Sequence, residues 1–295
     1  MKKIILSILT LCLVYSLSQA TTWNVSNTAQ LKSSCTSAAN GDIINILNDI
    51  ALTEKLPAIT AQVTIAGPAN GATISGNNTF NIFDFNIPAG GSVVIRDLNL
   101  INGYGSGFAG GINAFSDGTG SITLERVTIS NCSNKLNEYA YGGAIAVCAN
   151  LNLINCTLSG NTAEDGGGAI ADVGASDGFS ISLINCTVTN NKSLTPATGG
   201  AFDIYSNISF TIKNSILTNN LDGNNNLLTF YFINPSNLFS QGYNLTDDNI
   251  VQLSQATDLK GLPVASIALS ELLAHGTNHL THLIGYNSIA KGIIT

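Results

Sequence analysis

The chain has 295 residues, of which 44% are hydrophobic and only 10% charged, and its formal net charge is −7. That charge content is far below the usual quarter, and an acidic chain with 11 Lys and Arg is a poor partner for nucleic acid or any other polyanion. The 29 Gly, with many Asn, Ser and Thr doing the solvating, point away from a cytosolic enzyme and toward an extracellular repeat protein.

Residues 1–20 read as a secretory signal. Lys2-Lys3 precede an apolar stretch over 4–17, and Ser18-Gln19-Ala20 offers a small-x-small cleavage site. The stretch is shorter than the ~20 residues a membrane-spanning helix needs. No later stretch is long and apolar enough, so no membrane span is expected, and the mature chain is expected to be secreted or held at the cell surface. Cleavage removes Lys2, Lys3 and Cys12, which takes the net charge to −9 and leaves Cys35, Cys132, Cys148, Cys156 and Cys186. Their odd number leaves at least one unpaired.

Within residues 31–39, Leu31, Cys35 and Ala38 recur at helical spacing, and Asn40-Gly41 ends the run. A short amphipathic helix there would cap an open strand edge. Strand-like pieces follow at 42–47, 62–65, 72–75, 81–85 and 92–95.

Five segments then superpose: 95–103 (IRDLNLING), 124–132 (LERVTISNC), 153–161 (LINCTLSGN), 183–191 (LINCTVTNN) and 212–220 (IKNSILTNN). Their first residues are 29, 29, 30 and 29 positions apart. Gly110-Gly111, Gly142-Gly143, Gly167-Gly168 and Gly199-Gly200 fall between them. Such a period marks units that bury a core only by stacking on their neighbours. The fold class is therefore all-β: a single-stranded parallel β-helix, a solenoid of ~29-residue coils, with a short N-terminal capping helix.

Alternation sorts the side chains of each segment. Leu100, Ile129, Leu158, Val188 and Leu217 form one inward column, and Leu98, Val127, Cys156, Cys186 and Ser215 a second. Stacked strands lie ~4.8 Å apart, so a Cys156–Cys186 disulfide is sterically allowed. Two small buried apolar side chains account for the pair equally simply. Asn131, Gly160, Asn190 and Asn219 come at a turn, where stacked Asn side chains bond along the axis. The period is lost over 222–295, where 227–233 is strand-like and 266–274 helical in pattern. The chain thus divides into a signal (1–20), the β-helix with its N-terminal cap (21–221), and the last coils with a C-terminal cap (222–295).

On these residues the chain resembles secreted right-handed parallel β-helix proteins of the choice-of-anchor class. It is also similar to the GGAI repeat region of polymorphic outer membrane proteins. The motifs that carry the resemblance include Gly41-Asp42 with Ile44, Leu56-Pro57 with Ile59, Thr64-Ile65 with Gly67-Pro68, Asn214-Ser215-Ile216, Gly242-Tyr243-Asn244-Leu245 and Thr281-His282. The resemblance implies that the β-helix is right-handed, and it implies export and a surface role, often in adhesion. It carries over no active site, because the matched motifs are structural.

Candidate chemistry is sparse. Asp165, Asp172, Asp177 and Asp203 fall in adjacent coils, and paired carboxylates ~5–9 Å apart serve glycosidases. Aligned on Gly-Gly, however, Asp172 and Asp203 take opposite strand faces, and no Lys or Arg lies between Lys135 and Lys192 to act as a lyase base. Turn-capping or solvated Asp is the plainer reading. Arg96-Asp97 and Glu125-Arg126 stack crosswise as ion pairs. His275, His279 and His282 are spaced to share a helix face, but Gly276 and Thr277 interrupt it, so no metal or other cofactor is expected. Outward Thr128/Ser130, Thr157/Ser159 and Thr187/Thr189 form a small array of the kind that orders water on ice-binding solenoids.

The insertions at 103–109, 133–141, 162–165 and 192–198 all emerge at one corner, where a repeat scaffold usually carries its binding site. Tyr104, Phe108, Tyr139 and Tyr141 supply aromatic rings there. The expected protein is a non-enzymatic, adhesin-like scaffold binding a polysaccharide or a cell-surface ligand. The alternatives are a polysaccharide lyase or glycoside hydrolase, and an ice-binding protein.

Overall fold

A computed structural model describes residues 19–105, 107–117, 119–134, 141–174, 178–232 and 237–292. Its strands stack in parallel, as the repeat requires. The long face begins with Ser92–Ile101 and Ser121–Ser130, paired in register from Ser92↔Ser121 to Ile101↔Ser130. In later coils it continues as split pairs: Asn150–Ile154 with Thr157–Ser159, Ser180–Ile184 with Thr187–Thr189, and Ser209–Lys213 with Ile216–Thr218. The split falls where the chain bends through a left-handed residue: Asp97 (φ 59°), Arg126 (53°), Asn155 (55°), Asn185 (57°) and Asn214 (51°). A second left-handed column ends the face at Asn102, Asn131, Gly160, Asn190 and Asn219. Asn tolerates this conformation better than most residues, so two such corners per coil explain much of its abundance.

Beyond the second corner lies a short ladder of two-residue strands: Tyr104–Gly105, Ser133–Asn134, Thr162–Ala163 and Lys192–Ser193. The Gly-Gly step then turns the chain into a third face of six strands among the described residues, running Phe83–Asn86, Ile112–Phe115, Ile145–Cys148, Ile170–Asp172, Phe202–Ile204 and Phe230–Phe232. Backbone crowds backbone at this step. A Cβ on Gly143 would stand 2.1 Å from the Gly168 carbonyl oxygen, so no side chain fits.

The inward columns are buried as their alternation demands, with Leu100, Ile129, Leu158, Val188 and Leu217 all at 0% exposure. Cys156 and Cys186 are both free and buried. Beside them runs a buried amide ladder. Asn161 Nδ2 donates to Asn191 Oδ1 at 2.9 Å, and Asn191 Nδ2 donates to Asn220 Oδ1 at 3.0 Å. Each Nδ2 also bonds a carbonyl of the preceding coil, Ile129, Leu158 or Val188. Every buried polar group is thus met at each rung. Arg126 grips both oxygens of Asp97 at 2.6 and 3.0 Å, as the crosswise pairing expects. Arg96 stands opposite Glu125 in register, but its ion contact is with Asp97, at 3.9 Å.

At the N-terminus, strand Thr22–Val25 lies parallel to Ile43–Ile46. Between them runs helix Thr28–Ser37, whose cap Asn27 accepts from the Gln30 N–H at 3.0 Å. Leu31 and Cys35 are buried over the end of the core. The helix starts ahead of residue 31 because the cap at Asn27, not the apolar spacing, sets its first turn. Asp42 of the Gly-Asp motif accepts from Trp23 Nε1 at 2.9 Å and from the N–H groups of Thr21 and Ala39. These bonds, the Trp23 indole first, hold its carboxyl below the usual range.

The C-terminal region departs from its helical pattern. Among its described residues the one α-helix is Val264–Ile267, and Leu269–Ala274 is a strand, antiparallel to Leu280–Ile284. This hairpin does not cap the end of the stack. It doubles back over the outside of the long face. Ile216, Leu245, Ile267 and Ala290 form an apolar cluster at its base, with Leu269 and Ile284 packed against them. Further along, Asn99 Nδ2 donates to the Asn278 carbonyl at 2.7 Å, Asn99 Oδ1 accepts from Leu280 N–H at 2.9 Å, and Thr128 Oγ1 donates to the Leu280 carbonyl at 2.6 Å. The tip reaches the first coils, where Asn278 N–H bonds the Asn70 carbonyl at 2.7 Å.

Candidate functional site

The outward column of the third face runs Asp84, Asn113, Ala146, Ala171, Asp203, Tyr231 in register. Two alanines at its centre leave room above the sheet, and the corner loops fill that room with rings. Phe108 meets Phe115 edge-on at 5.0 Å and stacks on Tyr141 at 6.3 Å. Further along the axis Tyr205 tilts against Tyr231 at 5.8 Å.

These ring pairs separate three concavities. The first, about 310 Å³, lies beside Phe108 over Asp84 and Asn113. The second, about 260 Å³, is bounded by Tyr141 and Tyr205, with Asp165 and Asp172 in its wall. The third, about 310 Å³, follows Tyr231 and is lined by Asp248 and Asn249.

The floor carries polar atoms with nothing to bond. Asp84 Oδ1 is met by Asn81 Nδ2 at 2.7 Å and Asn113 Nδ2 at 2.6 Å, but Asn113 Oδ1 is buried without a partner. Asp203 is fully buried and neither of its oxygens is hydrogen-bonded. Burial pushes its carboxyl up to about 7; the nearby Tyr205 hydroxyl opposes the shift, and the charges of Asp165 and Asp172 add to it.

Asp172 lines the second concavity but Asp203 does not, and the register keeps the two on opposite strand faces. Asp172 stands opposite Val147 in the inward column and Asp203 opposite Ala171 in the outward one. Asp172 is committed to the backbone, accepting from the N–H groups of Gly174 (3.1 Å), Tyr205 (2.9 Å) and Ser206 (2.7 Å). Burial still raises its carboxyl against those three bonds. It is a turn-capping residue. Asp177 lies outside the described residues.

Of the four aromatic candidates, Phe108 and Tyr141 are brought together. Tyr104 sits on the short ladder opposite Ser133 and lines none of the three concavities. Tyr139 lies outside the described residues. Phe115, Tyr205 and Tyr231 were not foreseen. All three lie on or just past third-face strands, whereas the loops before the Gly-Gly steps had drawn the sequence reading.

Two other candidates change character. The Thr/Ser array is not an open surface: Thr128, Ser130, Thr157, Ser159 and Thr189 are each under 9% exposed, and the hairpin bonds to Thr128 and Ser159. A flat water-ordering face is therefore not on offer there. The histidines belong to the hairpin rather than to a helix. His282 bonds Ser159 Oγ at 2.9 Å and the Ser270 carbonyl at 2.7 Å. Among the described residues no group of three or more His, Cys, Asp or Glu is placed to hold a metal ion, and no helix is long and apolar enough to cross a membrane.

Comparison with protein-family models, with curated proteins and with solved structures finds no match. Function is therefore read from the chemistry of the site itself.

Proposed function

We propose that this chain is an exported β-solenoid scaffold that holds a neutral polysaccharide or cell-surface glycan along its third face without cleaving it. The observation that carries the reading is the alternation of ring pairs and concavities along one outward column. Six strands at ~4.8 Å spacing give a strip about 24 Å long, long enough for several sugar units in a row. Rings offer flat apolar area and the Asp and Asn side chains fix orientation, the usual division of labour in a ligand site. Asp84, Asn113, Asp165, Asp248 and Asn249 line the concavities and supply hydrogen-bonding capacity along the same strip. Export rests on residues 1–20, and a surface role on the resemblance to choice-of-anchor β-helix proteins.

The state of the carboxylates supports binding without cleavage. Asp172 is occupied by three backbone N–H groups, and Asp203 is sealed from solvent. Incubating the purified protein with a panel of insoluble and soluble polysaccharides, with and without Ca²⁺, tests both halves. Co-sedimentation or retention by at least one polymer is expected, with no new reducing ends and no unsaturated products. Products of either kind would make it a hydrolase or lyase instead.

A further inference from the structure

The hairpin does not lie flush on the long face. Between them is a cleft of about 520 Å³, larger than each concavity of the third face. That volume falls within the ~300–1,000 Å³ of small-molecule sites. One wall is the solenoid, with Ser130, Asn131, Gly160 and Asn190; the other is the hairpin, with Glu271 and His282.

Gly160 opens the space. It occupies the left-handed corner column in which Asn102, Asn131, Asn190 and Asn219 all carry side chains. Its φ of 69° is close to the 52° of Asn131 and 59° of Asn190, so the backbone does not demand glycine there. Where Asn219 follows Asn190, the two amides bond at 2.6 Å. At Gly160 that contact is replaced by empty space, with Asn131 Oδ1 2.9 Å from where a Cβ would stand.

Ser130 lines this cleft, and its buried Oγ has no hydrogen-bond partner. An orphaned buried hydroxyl calls for a bound group to satisfy it. His282 is oriented on both sides. The Ser270 carbonyl can only accept, so Nδ1 donates to it, and Nε2 of the neutral ring accepts from Ser159 Oγ. Among the described residues Glu271 is the one charged side chain in the lining, with no Lys or Arg there. A lone carboxylate among amides and hydroxyls repels anions but accepts strongly from O–H groups.

We infer that the cleft between the C-terminal hairpin and the long face is a second binding site, for a neutral polyhydroxylated ligand of one or two sugar units. The site is independent of the third-face strip, because it lies on another face and uses no aromatic ring. A ligand seated there would touch hairpin and solenoid together and fasten one to the other.

Isothermal titration with glucose, galactose, mannose, N-acetylglucosamine and their common disaccharides, with inorganic phosphate as the anionic control, tests the assignment. At least one sugar binds and phosphate does not. G160N restores the side chain that neighbouring coils carry, and the only close atom is the movable end of Asn131. Its melting temperature should equal or exceed that of the wild type, while sugar binding weakens about tenfold or more. Y205A, on the third face, leaves this binding unchanged. The inference is overturned if no sugar in the panel binds, if phosphate binds instead, if G160N binds as well as the wild type, or if Y205A abolishes the binding.

Discussion

Burying a carboxyl group with neither oxygen hydrogen-bonded favours its neutral form, and Asp203 is held that way beneath Tyr205. The consequence for stability has a definite sign. Between the ordinary value of 3.8 and about 7, the folded chain keeps the proton that the unfolded chain releases, so Asp203 makes the protein less stable as pH rises through that window. Above it the loss is complete and constant. In D203N the group no longer titrates. The melting-temperature advantage of D203N over the wild type should therefore widen from pH 4 to pH 7 and stay level beyond; a gap independent of pH would refute the assignment. Asn191 makes the opposite case, since its buried amide is fully used. N191A strands the Asn161 N–H inside the core and should cost up to about 3 kcal/mol, read by chemical denaturation. That ladder was missed in the sequence although each of its Asn lies inside a repeat, because inward polar residues contradict the alternation rule unless stacked partners are assumed.

At the scale of elements, the hairpin is the least legible part of the fold. Leu269, Leu272 and Leu273 suit a helix as well as a strand, and what decides for the strand is pairing with Leu280–Ile284 together with bonds to Asn99, Thr128 and Ser159, residues far away in sequence. No local signal encodes that docking. The N-terminal helix was legible because its apolar positions are local, although its start, set by the Asn27 cap, was not. His282 ties the hairpin to pH. Burial lowers its pKa below the ordinary 6.5, so its contribution is full above that value and declines as pH falls toward the folded value, where the unfolded or undocked chain takes up a proton first. Amide exchange of Thr281–Ile284, corrected for intrinsic rate, should therefore accelerate at mildly acidic pH while the core strands stay protected. H282Q should flatten that dependence. Equal acceleration in the solenoid core would show that the hairpin does not open separately.

For the whole molecule, the 29-residue period was enough to establish the parallel stack, because each coil repeats one backbone path with the same corner residues. The inward columns followed from alternation. The proposed binding strip was half legible: Phe108 and Tyr141 stood out, but the rings that complete it come from the third face, and only the fold aligns Phe115, Tyr205 and Tyr231 with them. The most direct measurement is affinity electrophoresis of the purified protein in gels containing neutral polysaccharides, comparing the wild type with the Y141A/Y205A variant after circular dichroism has confirmed that both are folded. Retardation of the wild type by at least one polymer is expected, with affinity reduced about tenfold or more when the two rings are removed. Equal mobility of the two proteins in every polymer would contradict a glycan-binding role for this face.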